Sequence, residues 1–214
     1  AQADDPPGRV GRLADVHGRV WVFDAEQGQW VDAQRNRALT SGDRLSTDRD
    51  ARAAVRVGST DLRLAGGTEV ELARIDDERM AFQLHSGSLA LRVRSSQIAG
   101  EVEVRTGEGR LLPERSGHYR VDREDDTTFA VAWRGSMRFE APDMQVQVRA
   151  GRRAEFFQQP GDRTTVVAWS APENDAFSDW VARDEQRDDR SVAQRYVSPA
   201  FTVTKPVGVG IWVR

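Results

Sequence analysis

Short runs in which apolar and charged residues alternate fill most of the chain, and glycines punctuate them. Ala53, Val55 and Val57 point one way with Arg52 and Arg56 the other, and Leu62 and Leu64 flank Arg63. Val70 and Leu72 alternate with Glu69 and Glu71; Leu89, Leu91 and Val93 alternate with Arg92 and Arg94; Val102 and Val104 alternate with Glu103 and Arg105. A period of two over so many runs predicts strands with one buried and one wet face. Upstream, Val20 to Phe23 and Gln29 to Val31 flank Asp24-Ala25-Glu26-Gln27-Gly28, a hairpin that sets Trp21 and Trp30 in neighbouring strands. Downstream, Asp122 to Asp126 reads as a second hairpin turn, and Phe129, Val131 and Trp133 line one face of the strand after it.

Three phrases look like variants of one unit: Ser41-Gly42-Asp43, Ser86-Gly87-Ser88 and Arg134-Gly135-Ser136. Each is read as a glycine turn just before an alternating strand, glycine supplying a positive φ at no steric cost. Irregular spacing makes this a loose repeat. The expected architecture is all-β, elongated, between a β-sandwich and a β-solenoid, over residues 9–170.

The pattern changes after Trp169. Asn174 or Asp175 can cap a short C-terminal helix in which Phe177, Trp180 and Val181 form an apolar stripe suited to docking on the β body. From Arg183 to Arg190 the chain is almost wholly charged and is read as the helix end passing into a solvated linker, so residues 171–190 form a docking helix and linker. Residues 191–214 are a C-terminal extension. Its last thirteen residues carry the chain's one lysine, Lys205, and no acid, and two readings stay open: a terminal strand, or partly non-native sequence, the second favoured on composition.

Charge narrows the function classes. Charged residues make up 30% of the chain while the net charge is −3, so basic and acidic residues are expected to alternate across the whole surface without pooling on one face, and no basic stripe points to nucleic acid. Of the 31 basic residues all but Lys205 are arginine, which coding bias explains. Without cysteine, disulfides, thiolate metal sites and cysteine catalysis are excluded. His17, His85 and His118 lack metal-ligand spacing, and the interrupted acid run at Asp122–Asp126 lacks the calcium-loop pattern. No cofactor or metal is expected. No apolar run is long enough for a membrane helix. Ala1-Gln2-Ala3 has the shape signal peptidase reads, so residues 1–8 are expected to be a signal-peptide remnant and flexible start of an exported protein.

The ordered series Gly18-Arg19-Val20-Trp21-Val22, Leu39-x-x-Gly42-Asp43-Arg44-Leu45, Arg52 to Gly58, Leu62-Arg63-Leu64, Leu84-x-x-Gly87-x-Leu89, Gly117 to Val121 and Ala150 to Ala154 resembles a FecR-type domain. The family more often has Thr-Pro where this chain has Thr106-Gly107. The resemblance implies an all-β periplasmic or secreted domain that works through protein contacts and has no catalytic residues. Regulators of that class carry an anti-sigma segment and a membrane helix ahead of the domain; the apparent signal-peptide end here leads to the expectation that the chain does not act on a sigma factor directly.

Three functions are weighed. The first is a non-catalytic interaction or regulatory module of the cell envelope that contacts another protein, with Arg52, Arg56, Arg63 and Arg92 on its wet face. The second is a carbohydrate- or peptidoglycan-binding domain with Trp21 and Trp30 as an exposed platform. A hydrolase ranks last.

Overall fold

The computed structural model describes residues 9–196. Residues 1–8 and the tail from 197, with the expectations placed on them, lie outside the described residues. The chain divides into two compact units, the boundary falling between Glu173 and Asn174.

The first unit is all β. In chain order its strands are β1 (Gly11–His17), β2 (Val20–Asp24), β3 (Gln29–Asp32), β4 (Ala38–Leu39), β5 (Arg44–Thr47), β6 (Arg52–Val57), β7 (Thr60–Leu64), β8 (Glu69–Ile75) and β9 (Met80–Val93). A single helical turn, α1 (Ser96–Ala99), leads to β10 (Val102–Arg105), β11 (Arg110–Pro113), β12 (Gly117–Glu124), β13 (Thr127–Arg134), β14 (Ser136–Ala141), β15 (Met144–Arg149), β16 (Arg153–Gln158) and β17 (Thr165–Ser170). All belong to one hydrogen-bonded network. It folds into two layers, because β9 belongs to both.

Layer A runs β4-β1-β6-β7-β9-β12-β13-β16-β17, using Gly87 to Val93 of β9. Layer B runs β3-β2-β5-β8-β9-β10-β11-β14-β15, using Met80 to Ser86. From β6 onward the chain alternates between layers two strands at a time, except that the second half of β9 alone enters layer A before β10 and β11 return to layer B. Neighbouring strands are antiparallel except β9 and β10. One apolar core joins the layers, with Leu13, Val22, Leu62, Phe82, Leu91 and Phe156 all buried in it. Across the gap Phe139 of β14 stacks on Phe156 of β16, ring centroids 3.7 Å apart.

The glycine phrases do two different jobs. Gly42 closes an open turn, as expected: its φ is +92°, and the Asp43 carboxylate accepts a 2.9 Å bond from the Thr40 amide. Gly87 and Gly135 are not turns. Each, at φ +89° and +87°, is the one residue at which the chain steps between layers. At Gly87 the chain passes over Thr68, whose buried hydroxyl accepts from the Ser88 amide at 3.0 Å and whose own amide donates to Thr47. At Gly135 it crosses the phenol of Tyr119, which donates to the Arg115 carbonyl at 2.7 Å. Pattern alone cannot separate these cases, since a turn and a layer change both need a positive φ.

β12 and β13 form the expected hairpin. Asp125 and Asp126 both have positive φ, the geometry of a tight turn whose twist suits the paired strands. β13 turns its small residues inward: Thr128, Ala130 and Ala132 face the interior and leave Phe129, Val131 and Trp133 on the outer face of layer A. Bulky partners from elsewhere, Tyr119 and Phe156 among them, already fill that part of the core.

A buried polar cluster braces the β10–β11 turn. Glu108 takes two bonds from the Arg123 guanidinium, at 3.2 and 3.1 Å, and another from the Thr128 hydroxyl. Arg123 also donates to the His85 carbonyl at 2.9 Å, and a Cβ on Gly107 would press against its guanidinium carbon at 3.1 Å. Glycine therefore stands at 107 so that a charged plane can lie on bare backbone.

The second unit contains α2 (Ala176–Tyr196). Asp175 caps it as expected: its carboxylate accepts from the Ser178 amide at 2.8 Å, and the Ser178 hydroxyl accepts from the Asp175 amide at 2.9 Å. The rings of Phe177 and Trp180 stack one turn apart, 6.1 Å between centroids. The expected linker from Arg183 is helical. Arginine, glutamate and glutamine are good helix formers, and the run carries the i,i+3 pair Asp184–Arg187, so charge density here marks helix surface.

Candidate interaction surfaces

Outward positions on the two layers form separate faces pointing in opposite directions. At one end of layer B, β2 hides Val20 and Val22 and presents Trp21 and Phe23. β3 pairs with β2 in the register Trp21↔Asp32, Val22↔Val31, Phe23↔Trp30. Trp30 therefore stands opposite Phe23, edge-to-face with centroids 5.5 Å apart. Trp21 sits diagonally from it, its indole N–H donating to Asp48 at 3.1 Å. Trp30 is 42% exposed, while Trp21 and Phe23 are half-buried. The expected Trp21–Trp30 hairpin exists, but the rings do not face each other as a flat pair; the turn length shifts the register so that phenylalanine meets Trp30.

β3 is an edge strand: among the described residues it pairs with β2 alone. The Ala33 amide donates to the Val20 carbonyl at 2.8 Å, which identifies Val20–Ala33 as a hydrogen-bonded pair. Such pairs alternate along an antiparallel ladder. Val22–Val31 and Asp24–Gln29 are thus the next two, and the backbone N–H and C=O groups of Trp30 and Asp32 point outward to the open edge. Beside the end of β3 an open recess is lined by Asp32, Gln34, Arg35, Asn36 and Arg37.

The rest of layer B's outer face is a lattice of ion pairs. Arg44 reaches Glu69, and His85 lies 3.4 Å from Glu71. Buried Glu103 meets Arg105 and Arg110; Arg110 and Arg138 share Glu140. Glu114 collects Gln147 at 2.7 Å and Ser136 at 2.9 Å. These side chains satisfy one another across neighbouring strands, a stabilising arrangement in itself.

All four arginines singled out in the sequence share the outer face of layer A. Arg56 of β6 stands opposite Asp61 of β7, Asp61 opposite Arg92 of β9, and Arg63 between Ala54 and Ala90. Arg12 of β1 and Arg120 of β12 join them. Basic residues thus pool here, contrary to the even spread expected from composition. The sign of the outward charge is set strand by strand, and the fold sorts β6, β7 and the arginine half of β9 into one layer and the glutamate strands β8 and β10 into the other. Arg63, expected on a wet face, is 2% exposed. It sits on a central strand beside two alanines, over whose methyl groups a long aliphatic stem can lie.

Asp61, also buried, binds Arg56 at 2.8 Å and Arg94 at 2.5 Å. Burial raises its carboxyl pKa, and the hydrogen bonds and charges of Arg94 and then Arg56 outweigh that, so the net displacement is downward. Hydrogen bonds, from Gln147 first, lower Glu114 as well. Depressed acids add stability that is present above their unfolded values, about 4, and lost as pH falls through the folded ones. The urea midpoint should therefore hold steady on mild acidification and drop below about pH 4, and Asp61→Asn should flatten that acid limb. An acid limb of unchanged steepness in Asp61→Asn would refute the assignment.

Among the described residues no group of three His, Asp or Glu side chains is placed to hold a metal ion, and no helix is long and apolar enough to cross a membrane. The six residues chosen from sequence thus divide into Trp21 and Trp30 on one face, and Arg52, Arg56, Arg63 and Arg92 on the other. Sequence reasoning missed Phe23 and Asp32. Both carried a signal: Phe23 is two residues from Trp21, and Asp32 two from Trp30, so each pair shares a face.

Fold and surface together define a two-layer β domain with an open aromatic edge. Two crystal structures from Parabacteroides distasonis ATCC 8503, each described as a "putative anti-sigma factor", share parts of this architecture. One is 12% identical with a TM-score of 0.52 over 64% of each chain; the other is 14% identical with a TM-score of 0.48 over 58% of each chain. The matched part is thus under two thirds of either neighbour's length, and at these identities the likeness is one of fold. No protein-family model matches the chain, and no curated protein matches it.

Proposed function

We propose that this chain is a non-catalytic, regulatory protein-binding module of the bacterial cell envelope, of FecR-like type, and that it engages its partner through the β3 edge. The observation that carries this reading is the combination at Trp30: an exposed indole on a strand whose outward backbone groups are unpaired among the described residues. Exposed edges are normally blunted by charge or cover, and an aromatic residue on one is suited to burial by a partner. The ordered FecR-like motifs and the fold shared with the P. distasonis chain support the regulatory class. Envelope placement rests on that resemblance.

A photo-crosslinking residue at position 30 tests the reading in cells that make the native-length protein. We expect a discrete protein adduct from position 30 and none from Gln145, an outward residue on the opposite edge strand β15. Adducts from both positions alike, or from neither, would contradict it. Trp30-dependent fluorescence quenching by peptidoglycan fragments with no protein adduct would support the glycan reading instead. Protease added to spheroplasts should degrade the protein if it lies outside the cytoplasm; full protection would remove the envelope placement.

A further inference from the structure

The hairpin that carries the open edge has a one-signed charge. From Asp24 to Asp32 it reads Asp-Ala-Glu-Gln-Gly-Gln-Trp-Val-Asp, with three acids and no base. Asp24 is engaged by Arg37 at 3.3 Å and by the turn amides of Glu26 and Gln27. Glu26 and Asp32 are exposed.

The ladder geometry then states what a docking strand would meet. Trp30 and Asp32 offer their backbone groups outward, and their side chains lie on the same outer face. Val31 between them turns to the core side and packs against it. An added strand would pair its backbone with Trp30 and Asp32. Added parallel to β3, it would set its own side chains opposite Trp30, Val31 and Asp32 in that order. Cross-strand neighbours are the unit of sheet stabilisation, and opposite charges or paired aromatics are favourable there.

Resting on the reading above, we propose that the partner docks by strand addition to β3, and that its docking segment is an extended, basic one: a large apolar residue, a β-branched residue and a lysine or arginine in sequence. The apolar side chain covers Trp30, the β-branched one continues the inner row beyond Val31, and the cation meets Asp32. Main-chain hydrogen bonds supply most of the attachment, and the side chains set register and choice. The acidic hairpin disfavours an acidic segment in the same register.

Blocked peptides with Phe-Val-Lys or Phe-Val-Glu at the centre of a threonine-rich strand, titrated into the full chain and followed by amide chemical shifts, test this. The lysine peptide should bind about threefold more tightly than the glutamate peptide, with the largest shifts at Trp30 and Asp32. Asp32→Lys should reverse that preference, and Trp30→Ala should weaken both peptides, by up to about tenfold. N-methylation of the two peptide amides that face β3 should abolish binding while leaving charge and side chains intact. Equal binding of the two peptides, an Asp32→Lys variant with unchanged preference, shifts that centre elsewhere, or no binding by either peptide would overturn the proposal. A discrete adduct at position 30 alongside any of those results would sink the basic-strand proposal alone; their joint failure would remove the edge as a binding site altogether.

Discussion

Replacing Gly87 or Gly135 by alanine should cost this domain about 3 kcal/mol or more, a large fraction of the total stability of a typical domain. Two effects add. A β-carbon at a φ near +90° costs about 1–2 kcal/mol on its own, and both sites have that φ. In addition, a β-carbon at 87 would lie 2.5 Å from the Thr68 Cα and 2.8 Å from the Gly67 carbonyl oxygen. At 135 it would lie 2.9 Å from the Ser116 carbonyl oxygen and 3.1 Å from the Tyr119 ring. Backbone and a ring fixed in the core cannot step aside, and such overpacking costs about 1–3 kcal/mol more. Gly42 separates the two contributions: its φ is +92°, yet nothing lies within 4 Å of the added carbon. Gly42→Ala should therefore cost only the conformational part. Urea midpoints for the three variants check this; three equal losses would mean that the layer crossings are not sterically tight.

The second large effect is expected at Glu108. Its carboxylate is almost fully buried and is the shared acceptor of Arg123 and Thr128. Removing one partner of a buried pair leaves an uncompensated charge, at a cost of about 3–5 kcal/mol. Arg123 keeps some solvent contact, which places Glu108→Ala near the lower end of that range, about 3 kcal/mol. Glu108→Gln keeps the shape and loses the charge, and should fall between alanine and the wild type. Glu78→Ala serves as the control: that carboxylate pairs with Arg74 at the surface and is 83% exposed, so its removal should leave the midpoint unchanged. Equal, small effects at 108 and 78 would show that the cluster is not a structural brace.

Much of this architecture was legible in the residues, for a physical reason. Each strand is covered on one face and wet on the other, so β6 to β10 announce themselves by alternation, and the Gly42 and Asp125–Asp126 turns by the chemistry their φ values require. What stayed hidden depends on partners distant in sequence. Alternation says that Gly87 sits between two strand-like runs; it does not say that they are one strand shared by two layers. Along β13 size alone would put Phe129, Val131 and Trp133 on the core side, yet Ala130 and Ala132 take it because Tyr119 and Phe156 supply the bulk. For α2 the run from Arg183 looked like linker because charge density reports solvent and says little about backbone. The candidate surface was half legible. Its residue types were right, but Trp21 and Trp30 lie on the opposite face from Arg52, Arg56, Arg63 and Arg92, and only layer assignment separates them.

Amide hydrogen exchange at β3 is the most direct test of an open, partner-seeking edge. In the free chain, Trp30 and Asp32 should exchange far faster than Val22 and Val31, whose amides are bonded within the hairpin. Saturating Phe-Val-Lys peptide should slow Trp30 and Asp32 and leave Val22 and Val31 as they were. Trp30 and Asp32 as protected as Val31 before anything is added would mean that the edge is already covered, and would contradict the account.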